Sequence, residues 1–191
     1  MRDFVWTEQR QGGFTLVELM VVIAVIAILA ATAVPAMVNW LPGYRLKKAA
    51  RDLYGNMQLA KVTAIRNNAD CAIVFSAGTD EYFVCSDSGA DSTWSTVADN
   101  TVLKRMSLSD LPSGIRYGWG NATTNATSGG GALPGDNVSF NNNVLVFNSR
   151  GICNSGYAYI DNSENMSFAV GTIASGVILI REWHEASKTW D

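Results

Sequence analysis

The chain has 191 residues, 14 of them Lys or Arg and 17 Asp or Glu, for a net charge of -3. That length fits one core-burying domain with an appendage, and the charge balance excludes a global field that would draw the protein to nucleic acid or anionic lipid. The chain is 48% hydrophobic, but the apolar residues are concentrated near the amino terminus, and the remainder has the polar surface composition of an ordinary globular head.

After a charged opening segment, Phe14 to Val34 gives 21 almost uniformly apolar residues. As a helix they would rise roughly 31 Å, enough to cross a hydrocarbon core of about 30 Å. Glu18 lies inside this run with no cation beside it in the sequence. A carboxylate at membrane depth costs roughly 2.5–3.5 kcal/mol by insertion scales, so such residues have partners and functions. A cleaved secretory signal ending at Ala31-Thr32-Ala33 is the simpler alternative, but the run exceeds the usual apolar length of about 7–15 residues and leaves Glu18 without a purpose. Cleavage after Gly13 supplies one: it frees an α-amine on Phe14, one helical turn from Glu18 or within reach of Glu18 on a neighbouring chain.

Gly13-Phe14-Thr15-Leu16-Val17-Glu18-Leu19 resembles the class III signal of type IV pilins and type II secretion pseudopilins. The resemblance implies removal of residues 1–13 by a prepilin peptidase, N-methylation of Phe14, and use of Glu18 to set subunits in register in a filament. Pro35 falls where many pilins carry a helix-bending proline. The family also implies a single-pass inner-membrane anchor, a periplasmic head, and partnership with the peptidase, with membrane lipid and with other pilins or pseudopilins.

Downstream, Pro35 and Leu41-Pro42-Gly43 are two weak points for a helix. Leu46, Ala50, Leu53, Met57, Ala60 and Ala64 then recur at spacings of three and four, which predicts an amphipathic helix over 35–68 with an apolar stripe on the head. Gly55 weakens it by about 1 kcal/mol relative to Ala. The basic cluster Arg45 to Arg51 reads as a solvated helix face, with lipid headgroups or DNA as alternatives.

From residue 69 the period becomes that of strands. Residues 71–76 and 81–86 flank Ala77-Gly78-Thr79-Asp80 as a hairpin, and apolar stretches at 101–106, 115–119, 144–148, 157–160, 166–170 and 176–181 complete an antiparallel system. The expected fold is α+β, with a long amino-terminal helix, transmembrane (14–34) and then amphipathic (35–68), packed on an antiparallel β head (69–191). Two polar stretches, 86–100 and 120–137, read as mobile loops. Leu59-Ala60-Lys61 through Asn67, Val146 to Gly151, and Ile178 to Trp183 with Trp190 are similar to the GspH/FimT group of minor pilins and pseudopilins.

A periplasmic head meets an oxidising compartment, and three cysteines allow at most one intrachain bridge. A hairpin turning about Gly78 would set Cys71 opposite Cys85, the expected pair; Cys85–Cys153 and three reduced thiols are the alternatives.

Enzymatic chemistry is not legible. His184 has no second His or Cys nearby, Gly118-Trp119-Gly120 lacks the third glycine of a dinucleotide fingerprint, and Asp87, Asp91 and Asp99 lack calcium-loop spacing. No cofactor or metal is expected. Trp94, Trp119, Trp183 and Trp190 read as packing residues, with stacking on bases or sugars as the alternative.

The function expected is that of a minor pilin or pseudopilin, in a type IV pilus or a type II secretion pseudopilus, acting in assembly initiation. The alternative is a DNA-binding minor pilin of natural transformation. DNA-binding members resemble one another in a G-R-x-R tail, where this chain has Gly176-Val177-Ile178-Leu179 and retains only Arg181, so the residues do not favour nucleic acid.

Overall fold

A computed structural model describes residues 13–191. The leader expected over 1–13 therefore lies, apart from Gly13, outside the described residues. The chain divides into two compact units that meet after Trp40.

Helix α1 runs from Leu16 to Asn67, helical through Pro35 and through Leu41-Pro42-Gly43 without interruption. Both ends carry local stop signals. At the start, Thr15 caps the first turn, its Oγ1 accepting from the Glu18 N–H at 3.2 Å. At the end, Asn68 adopts φ +49°, and the N–H groups of Asn68 and Ala69 reach back to the carbonyls of Ile65 and Ala64 at 3.3 and 3.2 Å. This paired closure satisfies two otherwise orphaned carbonyls and stops the helix before the first strand.

In the first unit, Leu16–Pro35 is a 20-residue segment long and apolar enough to cross a membrane, and none of it is buried by the described protein. In the second unit, α1 presents Leu46, Ala49, Ala50, Leu53, Met57, Ala60 and Ala64 to the core, each no more than 3% exposed. The stripe expected from spacing is present, widened by Ala49.

Nine strands follow: β1 (Cys71–Ser76), β2 (Glu81–Asp87), β3 (Thr101–Ser107), β4 (Arg116–Tyr117), β5 (Val144–Phe147), β6 (Gly156–Asp161), β7 (Ser167–Thr172), β8 (Ile178–His184) and β9 (Thr189–Trp190). They form two antiparallel sheets, ordered β3-β2-β1-β5 and β4-β6-β7-β8-β9. The α1 stripe packs in one core with Cys71, Ile73 and Phe75 of β1, Leu145 and Phe147 of β5, Ala158 and Ile160 of β6, and Phe168 and Val170 of β7. One helix face thus serves both sheets.

The opposite sheet faces are covered by the two polar loops, which is more than their composition suggests. Trp94 and Val97 of the 88–100 segment pack on Ala72, Val74, Cys85 and Val144. Ala122, Ala126 and Leu133 pack with Tyr157, Tyr159, Trp183 and Trp190 on the outer face of the second sheet. The second loop is also pinned by hydrogen bonds: the Ala126 N–H donates to Tyr159 Oη at 2.9 Å, and Trp190 Nε1 donates to the Thr124 carbonyl at 2.8 Å. Buried donors of this kind require fixed acceptors, so the loop is part of the fold.

The Cys71–Cys85 bridge is corrected by strand register. The β1–β2 pairing sets Ser76 opposite Glu81 and Ala72 opposite Cys85, so the turn has four residues rather than an odd number centred on Gly78. A one-residue offset places two side chains on opposite sheet faces. Cys71 accordingly lies in the α1-facing core and Cys85 in the outer cluster, and Cys71, Cys85 and Cys153 are all free and buried. Cys71 and Cys85 therefore point to opposite faces of the β1–β2 pair and cannot be bridged without moving a strand.

Candidate assembly and processing site

The described residues of the amino-terminal motif, from Gly13 to Leu19, are all exposed. Gly13 has open space about it, Phe14 is 84% exposed, and the helix starts two residues later. A glycine-phenylalanine bond immediately before a capped helix is accessible backbone, the condition a processing enzyme needs. Glu18 stands in the first turn of α1, where its charge complements the unsatisfied N–H groups and the positive end of the helix. Thr15 and Glu18 occupy the first and last positions of a T-x-x-E capping pattern, and the Thr15 half of the box is formed. Thr15 was a positioning residue that the apolar pattern alone did not single out, although the capping pattern could have identified it. Large apolar side chains, Leu16, Val17, Leu19 and Met20 among them, surround Glu18 in sequence, and each is more than half exposed. Pro35 lies within α1 and is exposed.

The other candidates resolve into structural roles. Asp87 Oδ1 accepts from the Gly89 N–H at 2.8 Å, Asp91 Oδ1 from the Thr93 N–H at 2.7 Å, and Asp99 Oδ2 from the Asp91 N–H at 3.2 Å. These acids fold their own loop. Among the described residues no group of three or more His, Cys, Asp or Glu side chains converges as a metal site. His184 lies 3.7 Å from the Asp191 carboxylate at the end of β8. Lys47 faces Glu182 at 3.8 Å and Arg45 donates to Ser113 Oγ at 3.1 Å, so part of the basic helix face is engaged with the sheet side of its own unit. Trp183 and Trp190 are buried edge to face, while Trp119 and Trp94 are partly buried against the sheets.

Asp161 is a buried carboxylate that sequence reading missed. It is 4% exposed at the end of β6, where it accepts from Arg116 Nε at 3.1 Å and from the Gly120 N–H at 3.2 Å. Burial pushes its pKa above the ordinary value of 3.8, against the opposing pull of Arg116. Gly118 permits the close approach, since a Cβ there would sit 2.2 Å from Asp161 Oδ2. The arrangement ties the 118–120 turn to β6, and the Gly118-Trp119-Gly120 spacing serves that turn. The only sequence signal was the pair of glycines.

Residues 9–34 match the prokaryotic N-terminal methylation motif, and residues 49–177 match the family described as Type II transport protein GspH. No curated protein matches the chain. Among solved structures, the minor pseudopilin EpsH from the Type 2 Secretion System of Vibrio cholerae is similar at 12% identity, with a TM-score of 0.46, over 71% of this chain and 95% of that one. With the methylation motif matched and the greater part of its length covered by the family model, this chain is a type IV pilin-like protein and belongs to the family of the type II transport protein GspH.

Proposed function

We propose that the protein is a minor pseudopilin of a type II secretion system, cut by a prepilin peptidase between Gly13 and Phe14, methylated on Phe14, and assembled through Glu18 with other pseudopilins at the start of a filament. The apolar segment holds the unassembled subunit in the bacterial inner membrane, with the second unit in the periplasm. The observation that carries this reading is Glu18 itself: a carboxylate in the first turn of an exposed apolar helix, four residues after the phenylalanine of a methylation motif. Before cleavage it has no cation near it in the sequence. After cleavage the Phe14 amine of its own or a neighbouring chain neutralises it, which favours one axial register when subunits leave the bilayer. Pro35 gives the helix a position without a backbone donor, where it can bend as subunits pack.

The processing step is tested by intact mass and amino-terminal sequencing of the protein extracted from membranes. The expected chain begins at Phe14 and carries one additional methyl group. A chain beginning after Ala33, or an uncut chain in cells with an active peptidase, contradicts the reading.

A further inference from the structure

Within the second unit, an open hollow of about 350 Å³ lies on the outer face of β5, between the covering loop at 92–95 and the single turn Asn141–Asn143. Trp94, Val144 and Val146 give the apolar part of its lining, and all three belong to the outer cluster on the first sheet. The polar part comes from Ser92 and Ser95 of the loop and from Asn141 and Asn142 of the turn. Among the described residues, these four side chains and the Trp94 indole N–H make no hydrogen bond. The backbone that bears them is held. The Thr93 N–H donates to Asp91 Oδ1 at 2.7 Å, and Asn100 Nδ2 donates to the Trp94 carbonyl at 2.7 Å. In the turn, Asn143 Nδ2 donates to Asp136 Oδ2 at 2.8 Å and the Asn143 N–H to the Phe140 carbonyl at 3.0 Å. Open donors and acceptors on a fixed backbone are what a preorganised site presents.

The lining itself excludes most classes of occupant. It contains no acid and no base, unlike the hollow that Arg116 and Asp161 share, so it offers no counter-charge to a phosphate, a carboxylate or an ammonium group. An extended peptide would add to β5, which is the edge of the first sheet. That edge is already closed by Asn154, whose Oδ1 accepts from the Val146 N–H at 2.8 Å and whose Nδ2 donates to the Val144 carbonyl at 2.7 Å. A wholly apolar ligand would strip water from the serine and asparagine side chains and replace none of their hydrogen bonds. A neutral molecule with one apolar surface and a rim of hydroxyls meets every condition. A pyranose ring has that form: its C–H groups suit an indole, and each hydroxyl both donates and accepts, as do the side chains of serine and asparagine. The volume falls in the roughly 300–1,000 Å³ range of ligand sites.

We propose that this hollow binds a neutral pyranose unit of a glycan, with the ring's C–H groups against Trp94 and its hydroxyls on Ser92, Ser95, Asn141 and Asn142. The site lies within the 41–191 unit and stands independently of cleavage after Gly13 and of membrane insertion.

The test is saturation-transfer NMR on the full chain, extracted in a detergent without a sugar headgroup. The probes are cellotetraose, the tetramer of N-acetylglucosamine, and tetragalacturonate as their anionic counterpart. Transfer is expected to the ring C–H protons of a neutral tetramer and not to tetragalacturonate. Asn142→Gly keeps the left-handed backbone of φ +52° without strain. It and Ser95→Ala, each removing one hydrogen-bonding side chain, should weaken binding about fivefold. Trp94→Leu keeps the cluster apolar and should abolish the signal; if it lowers the urea midpoint, the Asn142→Gly result decides. No transfer to either neutral tetramer, equal transfer to tetragalacturonate, or binding unchanged in Asn142→Gly and Ser95→Ala overturns the proposal. Protection of Trp94 from oxidation by added pseudopilins, with no transfer to sugar, assigns the hollow to a protein neighbour and also overturns it.

Discussion

Asp161 shows how one buried carboxylate organises a turn that carries no chemistry. Its two acceptor bonds hold Arg116 and the Gly120 N–H. Removing them leaves a backbone donor in a partly closed site, a loss of about 1–3 kcal/mol. Asp161→Ala is therefore expected to lower the urea midpoint of the detergent-extracted chain, and Asp161→Asn, which still accepts from Gly120, to lower it less. Because burial raises the folded pKa, the folded state binds the proton more readily than the unfolded state, whose value lies near 3.8. Protonation of Asp161 thus adds a stability, separate from its two acceptor bonds, that grows as pH falls through its raised folded value, levels off below 3.8 and is absent at higher pH. Wild type should gain over Asp161→Asn on acidification through that window. The cysteines give a second residue-scale expectation. Burial pushes the Cys71 thiol up to about 11 and raises Cys85 and Cys153 as well. Thiolate, the reactive form, is scarce at neutral pH. Alkylation of the native chain should leave Cys71 and Cys85 unmodified, and unfolding should release all three; a Cys71–Cys85 bridge in non-reducing peptide maps would contradict the register described above.

At the scale of elements, the end of α1 meets two turns through backbone approaches that only glycine allows. Lys61 Nζ donates to the Gly176 carbonyl at 2.9 Å, and Gly176 has φ +81°, with the Gly151 carbonyl 1.8 Å from where a Cβ would sit. Gly176→Ala should cost more than the roughly 1–2 kcal/mol of a left-handed backbone alone, since the β7–β8 turn must also move off Gly151; a denaturation midpoint equal to wild type would sink this. Strand positions were legible in the sequence because their alternation is local: each of the eight expected stretches overlaps an observed strand, from Cys71–Ser76 to Ile178–His184. Register was not legible, because adding one residue to a turn changes neither composition nor period while it turns every side chain over. The short β9 and the covering role of the 120–137 loop were also hidden. A loop of Gly, Asn, Ser and Thr has no periodicity to show that Ala126 meets Tyr159 or that Thr124 accepts from Trp190.

For the whole molecule, the division of labour follows from where apolar surface remains. The second unit buries its α1 stripe against two sheets and its outer sheet faces under its own loops, and it needs no partner to complete its core. The first unit leaves Leu16–Pro35 uncovered. Its environment must therefore be supplied by lipid and, on the proposed function, later by the helices of neighbouring subunits. Gly13, Phe14 and Glu18, the residues of the proposed processing and assembly, stand in the segment that matches the methylation motif, and a motif ordered along one short stretch needs no tertiary fold to be read. The central claim is that Glu18 serves assembly and leaves the folding of the second unit untouched. It is tested most directly by expressing Glu18→Gln and Glu18→Ala in cells and measuring recovery of the protein with the other pseudopilins after crosslinking, beside the protease resistance of the 41–191 unit. The account predicts loss of recovery with resistance unchanged. Normal recovery of both variants, or loss of resistance in step with loss of recovery, would contradict it.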